Sequence, residues 1–478
     1  MAKVSHPTLF SDAYGLKPKA LSDLGILDPI LNMDTRLFID PLLLEVSAHD
    51  EISVDARRRY ENHFTKLAKL LSASKEINDV PWRNARELMR FSEIRGTCLG
   101  YGEATIHGTG MGAQLTEHVL RTAKEIVDLG IDDPDFFALL ALFEAGIGPD
   151  RISDMVTNII LPDLVAFNAR VLGQLKVPPE SFQLRGGMVK LARNPCENPV
   201  GPVILVPDDV LKPLPIAVDW DGVASCAAEN DALRQRVNAD VGAIWQAKTA
   251  KQKAEFRDIV LSSKRAAMAI LDTIKAVERS GYDLVADPKG LTRWLVAARA
   301  VAGKYPLAIA SPAALTLDEV ERIVAAIVDQ FQLLVEKKGL AKEFWFENKV
   351  RGEKAAQRLF FAVADTYCRA NNLDVTPEAD SGVGPVDFKF ASGYNARVLV
   401  ELKLSSNTKL VHGFTTQLDA YKGAEQTTRA TYLVIDVGGL GDKDDRLITI
   451  ANDRRVRGLP VSKLVFVDGV PRASASAR

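Results

Sequence analysis

Two segments near the C-terminal end alternate apolar and polar residues almost strictly, and they commit that region to sheet. They are GVGPVDFKFAS, residues 382–392, and RVLVELKL, residues 397–404. Side chains along a strand point to opposite faces in turn. In the first segment Val386, Phe388 and Phe390 therefore share one side, and Asp387 and Lys389 the other. In the second, Val398, Val400, Leu402 and Leu404 form an apolar face, while Leu399, Glu401 and Lys403 lie opposite. The spacing Glu-x-Lys sets an acid and a base next to each other on one side of one strand. Only a short loop around Ser392, Gly393, Tyr394 and Asn395 separates the two segments. If they pair antiparallel, Asp387 stands beside Glu401.

The flanking pattern is helical. From about Phe344 to Ala370, the residues Ala356, Phe360, Ala364 and Tyr367 recur at helical spacing and define a buried stripe. Glu353 continues this stripe one turn earlier, with Gln357 following at i+4. A carboxylate on an inward face is costly without a partner. After the strand pair, HGFTTQLDAYKGAEQ carries Phe414, Gln417, Leu418 and Tyr421 at i, i+3, i+4 and i+7, so polar Gln417 and Tyr421 face the sheet with their apolar neighbours. TYLVIDV then returns as a buried strand. The order is helix, strand, strand, helix, strand.

Two adjacent carboxylates supply the hard oxygen ligands that Mg²⁺ or Mn²⁺ prefers. Such an ion lowers the pKa of water and offsets charge developing on a phosphoryl group. A neighbouring ammonium can orient the attacking water and stabilise the transition state, and Lys403 has the position for it.

In order along the chain, Glu353, Asp387 after Gly-Pro-Val, Glu401-Leu402-Lys403, and Gln417-x-x-x-Tyr421 resemble the PD-(D/E)xK nuclease superfamily, in particular its RecB-type branch. The resemblance covers roughly residues 340–470. It implies an α/β, restriction-endonuclease-like mixed sheet flanked by helices. It further implies Asp387 and Glu401 as metal ligands joined by the Leu402 carbonyl, Lys403 in catalysis, and Glu353 in ordering the site. Gln417 and Tyr421 would assist substrate or metal positioning. One departure stands: Asp387 follows Gly-Pro-Val rather than a proline directly. The implied activity is Mg²⁺- or Mn²⁺-dependent hydrolysis of nucleic acid, DNA more than RNA. The alternative is a domain of the same fold that binds nucleic acid or scaffolds without cutting.

Upstream, the 478-residue chain reads as a mainly helical region with some strand. Expected boundaries are an α+β region over 1–222, a helical region over 223–335, the nuclease domain over 336–470 and a disordered tail over 471–478. A long non-catalytic region joined to such a nuclease is similar to architectures in restriction and anti-phage defence, with self-association or a partner protein implied. Net charge is -2, so a strongly basic composition is absent, although a local basic groove remains compatible with that total. The cysteines, Cys98, Cys196, Cys226 and Cys368, show no C-x-x-C spacing, which removes zinc-finger and thioredoxin readings. With no signal-peptide pattern and no apolar run long enough to span a bilayer, the expected location is cytoplasmic, away from membranes.

Other segments have plainer readings. His107 to Gly112 resembles a phosphate-cradling loop but lacks the Walker A lysine. Asp150, Asp154 and Asn158 would share a helix face, either as a second polar site or as an ordinary helix start. Asp34, Asp40, Asp219 and Asp221 read as turn residues, and His412 as a surface residue near the site. Lys342, Lys349, Arg351, Lys354 and Arg358, with Arg454, Arg455 and Arg457, either hold a substrate backbone or form an ordinary solvated helix face. The charged stretch from Arg234 to Arg279 reads mainly as a solvated helix pair.

Overall fold

A computed structural model describes residues 6–91, 94–100, 112–137, 139, 149–184, 186–213, 257–258, 260–275, 280–307, 315–370, 373–380, 385–393 and 396–471. The chain divides into two compact units, Thr8–Tyr282 and Asp283–Arg478 with Met1–Pro7. The division at Asp283 falls inside the helical region expected over 223–335.

The N-terminal unit is mainly helical. Its elements include β1 (Phe38–Ile39), α1 (Arg57–Ala73), α2 (Val80–Leu88), α3 (Ala113–Asp128), α4 (Pro149–Leu175), β2 (Glu180–Leu184), β3 (Gly187–Asn194), β4 (Gly201–Val203), β5 (Leu211–Lys212) and α5 (Lys264–Lys275). β2, β3 and β4 form one small antiparallel sheet, and β1 pairs with β5. Asp79 caps α2 by accepting the Trp82 N–H at 2.8 Å, satisfying one of the helix's orphan donors. Asp40, read as a turn residue, caps a short 3₁₀ turn through the Leu42 N–H at 2.9 Å. α4 runs unbroken through Pro162. From the sequence, no apolar run long enough to span a bilayer is expected. The single helix does contain one: Arg151–Leu175 is long and apolar enough by composition, with 67% of its apolar window buried within the protein.

The C-terminal unit is α/β. It comprises α6 (Trp294–Lys304), α7 (Leu317–Lys338), β6 (Trp345–Phe346), β7 (Lys349–Val350), α8 (Glu353–Ala370), β8 (Asp374–Asp380), β9 (Pro385–Ser392), β10 (Ala396–Leu404), α9 (Leu410–His412), α10 (Leu418–Ala424), β11 (Ala430–Asp436), α11 (Lys443–Val456) and β12 (Lys463–Asp468). The five-stranded sheet has the order β12-β11-β10-β9-β8. β8, β9 and β10 run antiparallel, while β10, β11 and β12 run parallel. The sheet is therefore mixed, and helical crossovers make its parallel half possible.

Each face of the sheet is covered. On one, Phe360 of α8 packs on Phe331 of α7 at 5.0 Å and on Phe388 of β9 at 4.9 Å between ring centroids. On the other, Phe414, Leu418, Tyr421 and Leu447 cluster with Leu399 and Tyr432.

The helix expected from about Phe344 begins later, at Glu353. Glu347 and Asn348 both adopt left-handed conformations, at φ 46° and 61°. Successive residues of this kind make a tight two-residue hairpin turn, which joins β6 to β7. Gly352, at φ 95°, then redirects the chain into α8. Glu353 therefore occupies the first turn of its helix, where the helix dipole favours negative charge.

Candidate active site

Antiparallel pairing sets Val400 opposite Phe388 and Leu399 opposite Lys389. One step further along, Asp387 comes level with Glu401, and its N–H donates to Glu401 Oε2 at 3.3 Å. The two acids thus meet, as the antiparallel pairing considered from the sequence would place them. Glu401 is 2% exposed, and Asp387 and Lys403 are each 8% exposed.

Lys403 Nζ is the hub of the group. It lies 2.9 Å from Glu401 Oε1, 3.2 Å from Glu353 Oε1 and 3.5 Å from Asp387 Oδ2. It also donates to the Leu402 carbonyl at 3.3 Å. Glu353, from the start of α8, thereby joins residues of β9 and β10.

Further donors fix the acids. Asp387 Oδ2 accepts the Leu402 N–H at 2.8 Å, and Oδ1 accepts Gln357 Nε2 at 2.7 Å. Glu353 Oε2 accepts the Leu404 N–H at 3.2 Å and Asn407 Nδ2 at 2.9 Å. The sequence alone assigns no role to Gln357 or Asn407. The signal for Gln357 was its place at i+4 from Glu353 on an otherwise apolar helix face. Asn407 lies in the turn after β10 and had none.

Burial raises the Asp387 carboxyl above its usual range, against the pull of the Lys403 ammonium. Burial first, and the adjacent Asp387 second, push Glu401 up to about 7. Burial works against the Lys403 ammonium, but Asp387, Glu401 and Glu353 together hold it above the usual lysine range. Three carboxylates thus face one ammonium in a largely dry setting. Excess negative charge in low dielectric has two outlets, a bound proton or a further cation.

Among the described residues, no three His, Cys, Asp or Glu side chains group in a way that would hold a metal ion. The relevant donors here are two carboxylates and a backbone carbonyl. Asp387 Oδ2, Glu401 Oε1 and Leu402 O all reach one cationic nitrogen within 3.5 Å. Hard oxygens of this type suit Mg²⁺ or Mn²⁺.

Tyr421 and Gln417 differ in their placement. Tyr421 is buried, and its hydroxyl titrates above its usual value through burial and then through the charge of Glu401. Gln417 ends a π turn over Gly413–Gln417 and is half-buried. Among the described residues its side chain makes no hydrogen bond to the acids or to Lys403. A Cβ at Gly413 would sit 2.5 Å from the Tyr432 hydroxyl, which donates to the Leu410 carbonyl at 2.7 Å. The glycine therefore allows the helical run to lie against β11.

The basic residues sort into two groups. The Arg351 side chain is 6% exposed and is tied to Glu343 at 3.4 Å and to the Ala286 carbonyl at 2.8 Å, so it is structural. Arg358 donates to the Gly290 carbonyl at 3.4 Å. Arg454 is held by Asp419 at 2.8 Å and the Thr415 carbonyl at 3.0 Å, and Arg455 by Asn452 at 2.8 Å. Lys342, Lys349, Lys354, Arg457 and His412 are exposed. Of these, Lys354 acts on the site directly, because its charge favours ionised Asp387.

Elsewhere, Asn158 Nδ2 donates to the Asp154 carbonyl one turn back at 2.8 Å, a contact within α4. The Asp150 side chain, residues 107–111, Asp219 and Asp221, and most of 234–279 lie outside the described residues. Cys98, Cys196 and Cys368 are unpaired.

The C-terminal unit is therefore an α/β domain with a buried acid–lysine cluster at the junction of its antiparallel and parallel strands. Residues 15–219 match a family model described as Domain of unknown function (DUF8370), and residues 320–439, which contain the whole cluster, match one described as Domain of unknown function (DUF8371). No match was found among curated proteins or among solved structures.

Proposed function

We propose that the C-terminal unit is a metal-dependent nuclease of the PD-(D/E)xK kind, with a restriction-endonuclease-like core, that hydrolyses phosphodiester bonds of nucleic acid, DNA in preference to RNA. The observation that carries this is the convergence of Asp387, Glu401 and Glu353 on the ammonium of Lys403, at 2.9 to 3.5 Å. Asp387, Glu401 and the Leu402 carbonyl would hold Mg²⁺ or Mn²⁺. The ion would supply Lewis acidity towards water and the phosphoryl oxygens.

The protein's own groups have distinct tasks in this scheme. Lys403 is kept charged by its neighbours, so it can hold a water by hydrogen bonding and stabilise negative charge as it develops. Glu353 bonds Lys403 and steers the ammonium towards the acids. Tyr421 presents a hydroxyl that stays protonated, as suits a donor. Exposed Lys354 offers a contact for the substrate's phosphate backbone. The long N-terminal unit fits targeting or assembly, and a defence setting is proposed on analogy of architecture.

The test is to incubate the full chain with plasmid, single-stranded DNA and RNA in Mg²⁺, Mn²⁺ or EDTA. Cutting that needs the metal and disappears in Asp387→Ala and Lys403→Ala, with circular dichroism unchanged, supports the proposal. Cutting that continues in EDTA or in Asp387→Ala rejects it. Binding without metal-dependent cutting assigns the fold to recognition instead.

A further inference from the structure

We infer that Gln357 and Asn407 are positioning residues of this site, each fixing one carboxylate with an uncharged amide donor. This rests on the nuclease reading above and adds the means by which the acids are aimed.

Gln357 is 7% exposed on a helix face whose neighbouring stripe residues, Ala356 and Phe360, are apolar. Burying an amide there is unfavourable unless it is hydrogen bonded. Its Nε2 lies 2.7 Å from Asp387 Oδ1. The opposite oxygen of the same carboxylate accepts the Leu402 N–H at 2.8 Å. With a donor on each oxygen, the Asp387 carboxylate cannot rotate freely, and Oδ2 stays turned towards Lys403.

Glu353 is held by a related scheme with a different outcome. Its two donors, the Leu404 N–H at 3.2 Å and Asn407 Nδ2 at 2.9 Å, share Oε2. Oε1 is left to address Lys403 at 3.2 Å. Each acid is thus gripped by one backbone N–H of β10 and one side-chain amide from outside that strand.

The amides suit the chemistry because they carry no charge. A lysine or arginine at either position would add a cation beside Lys403 and repel a divalent ion. A carboxylate would add a further negative charge to three already close together. An amide orients the acid and leaves the charge balance to Lys403 and the metal. Partners of this type, one shell out from a metal ligand, commonly change metal affinity or activity by about 10- to 100-fold when removed.

The experiment compares the full-length wild type, Gln357→Met and Asn407→Ala. Mn²⁺ affinity is read from the free-ion electron paramagnetic resonance signal without substrate, beside kcat and KM on DNA. Gln357→Met should weaken Mn²⁺ binding about tenfold and lower kcat, with KM unchanged. Asn407→Ala should leave Mn²⁺ affinity near wild type, because Glu353 faces Lys403, and lower kcat about tenfold. Asn407 lies outside every helix and strand, so this variant keeps the inference open to refutation if Gln357→Met does not fold. Folded variants with wild-type Mn²⁺ affinity and wild-type kcat overturn the positioning role and leave the nuclease reading standing. A wild type that neither binds Mn²⁺ nor cuts overturns both.

Discussion

Replacing Lys403 with methionine keeps most of the apolar body of the side chain, one atom shorter, and removes its charge. The ammonium it deletes sits 2.9, 3.2 and 3.5 Å from three carboxylates. Removing one side of a buried ion pair typically costs about 3–5 kcal/mol, because the partner is left buried and unbalanced. Two features place the expected cost at the lower end. The Glu353 side chain is 26% exposed, so water screens part of its charge. Glu401, already raised to about 7, can relieve the rest by taking up a proton. At pH 8 the variant should therefore lose about 3 kcal/mol. For a domain of this size that corresponds to a fall of about 6–12 °C in Tm. Near pH 6 protonation of Glu401 removes one of the three charges, and the loss should shrink to roughly half. Excess Mg²⁺ should restore much of the loss at pH 8, because a divalent ion supplies the missing positive charge and binds only the folded site. The assay is calorimetry of the full chain and the variant at both pH values, in EDTA and in Mg²⁺. Equal Tm values at pH 8 in EDTA, or a loss that does not depend on pH, would refute the claim that Lys403 balances a buried acidic cluster.

Three further outcomes follow from the same geometry. Glu401 titrates at about 7 in the folded chain against an ordinary 4.5, so the folded chain keeps a proton that the unfolded chain gives up. The stability this adds is fully present below about 4.5 and lost as pH rises through about 7. Urea midpoints in EDTA should decline across that window and flatten with Mg²⁺, whereas a rising profile would count against it. Gly413→Ala drives a methyl group into the Tyr432 hydroxyl and should cost about 1–3 kcal/mol. Adding Tyr432→Phe should recover part of that cost in urea titrations, and strictly additive losses would remove the contact from the explanation. Lys354→Ala should weaken nucleic-acid binding and reduce the slope of log Kd against log salt by about 1. An unchanged slope would exclude Lys354 from phosphate contact.

The parts of the site legible in the sequence are those set by strand periodicity. Alternation alone put Glu401 and Lys403 on one face, and the short loop at 392–395 brought Asp387 beside them. The contribution of Glu353 was readable because a carboxylate in a buried helical stripe needs a partner, and Lys403 at 3.2 Å provides one. Long-range elements were harder. β8 reads TPEAD at its end, without the apolar alternation of β9. β12 and α11 were not anticipated, because the apolar residues of α11 form no continuous buried stripe: only Leu447 and Ala451 are buried, while Ile448 and Val456 are exposed. The start of α8 was misplaced because nothing in Trp345 to Val350 marks a hairpin except two left-handed residues, of which one is a glutamate. The basic residues were the least readable. Arg351 and Lys354 are three apart in sequence, yet one is enclosed by Glu343 and Ala286 and the other reaches solvent. Only tertiary contacts separate them.

The most direct check on the catalytic account is the position of a bound divalent ion. In crystals of the full chain soaked in Mn²⁺, the anomalous difference map should show a peak contacted by Asp387, Glu401 and the Leu402 carbonyl. That peak should be absent from Asp387→Ala crystals. A strong Mn²⁺ peak elsewhere, with none between these three residues in a protein that still cuts DNA, would contradict it.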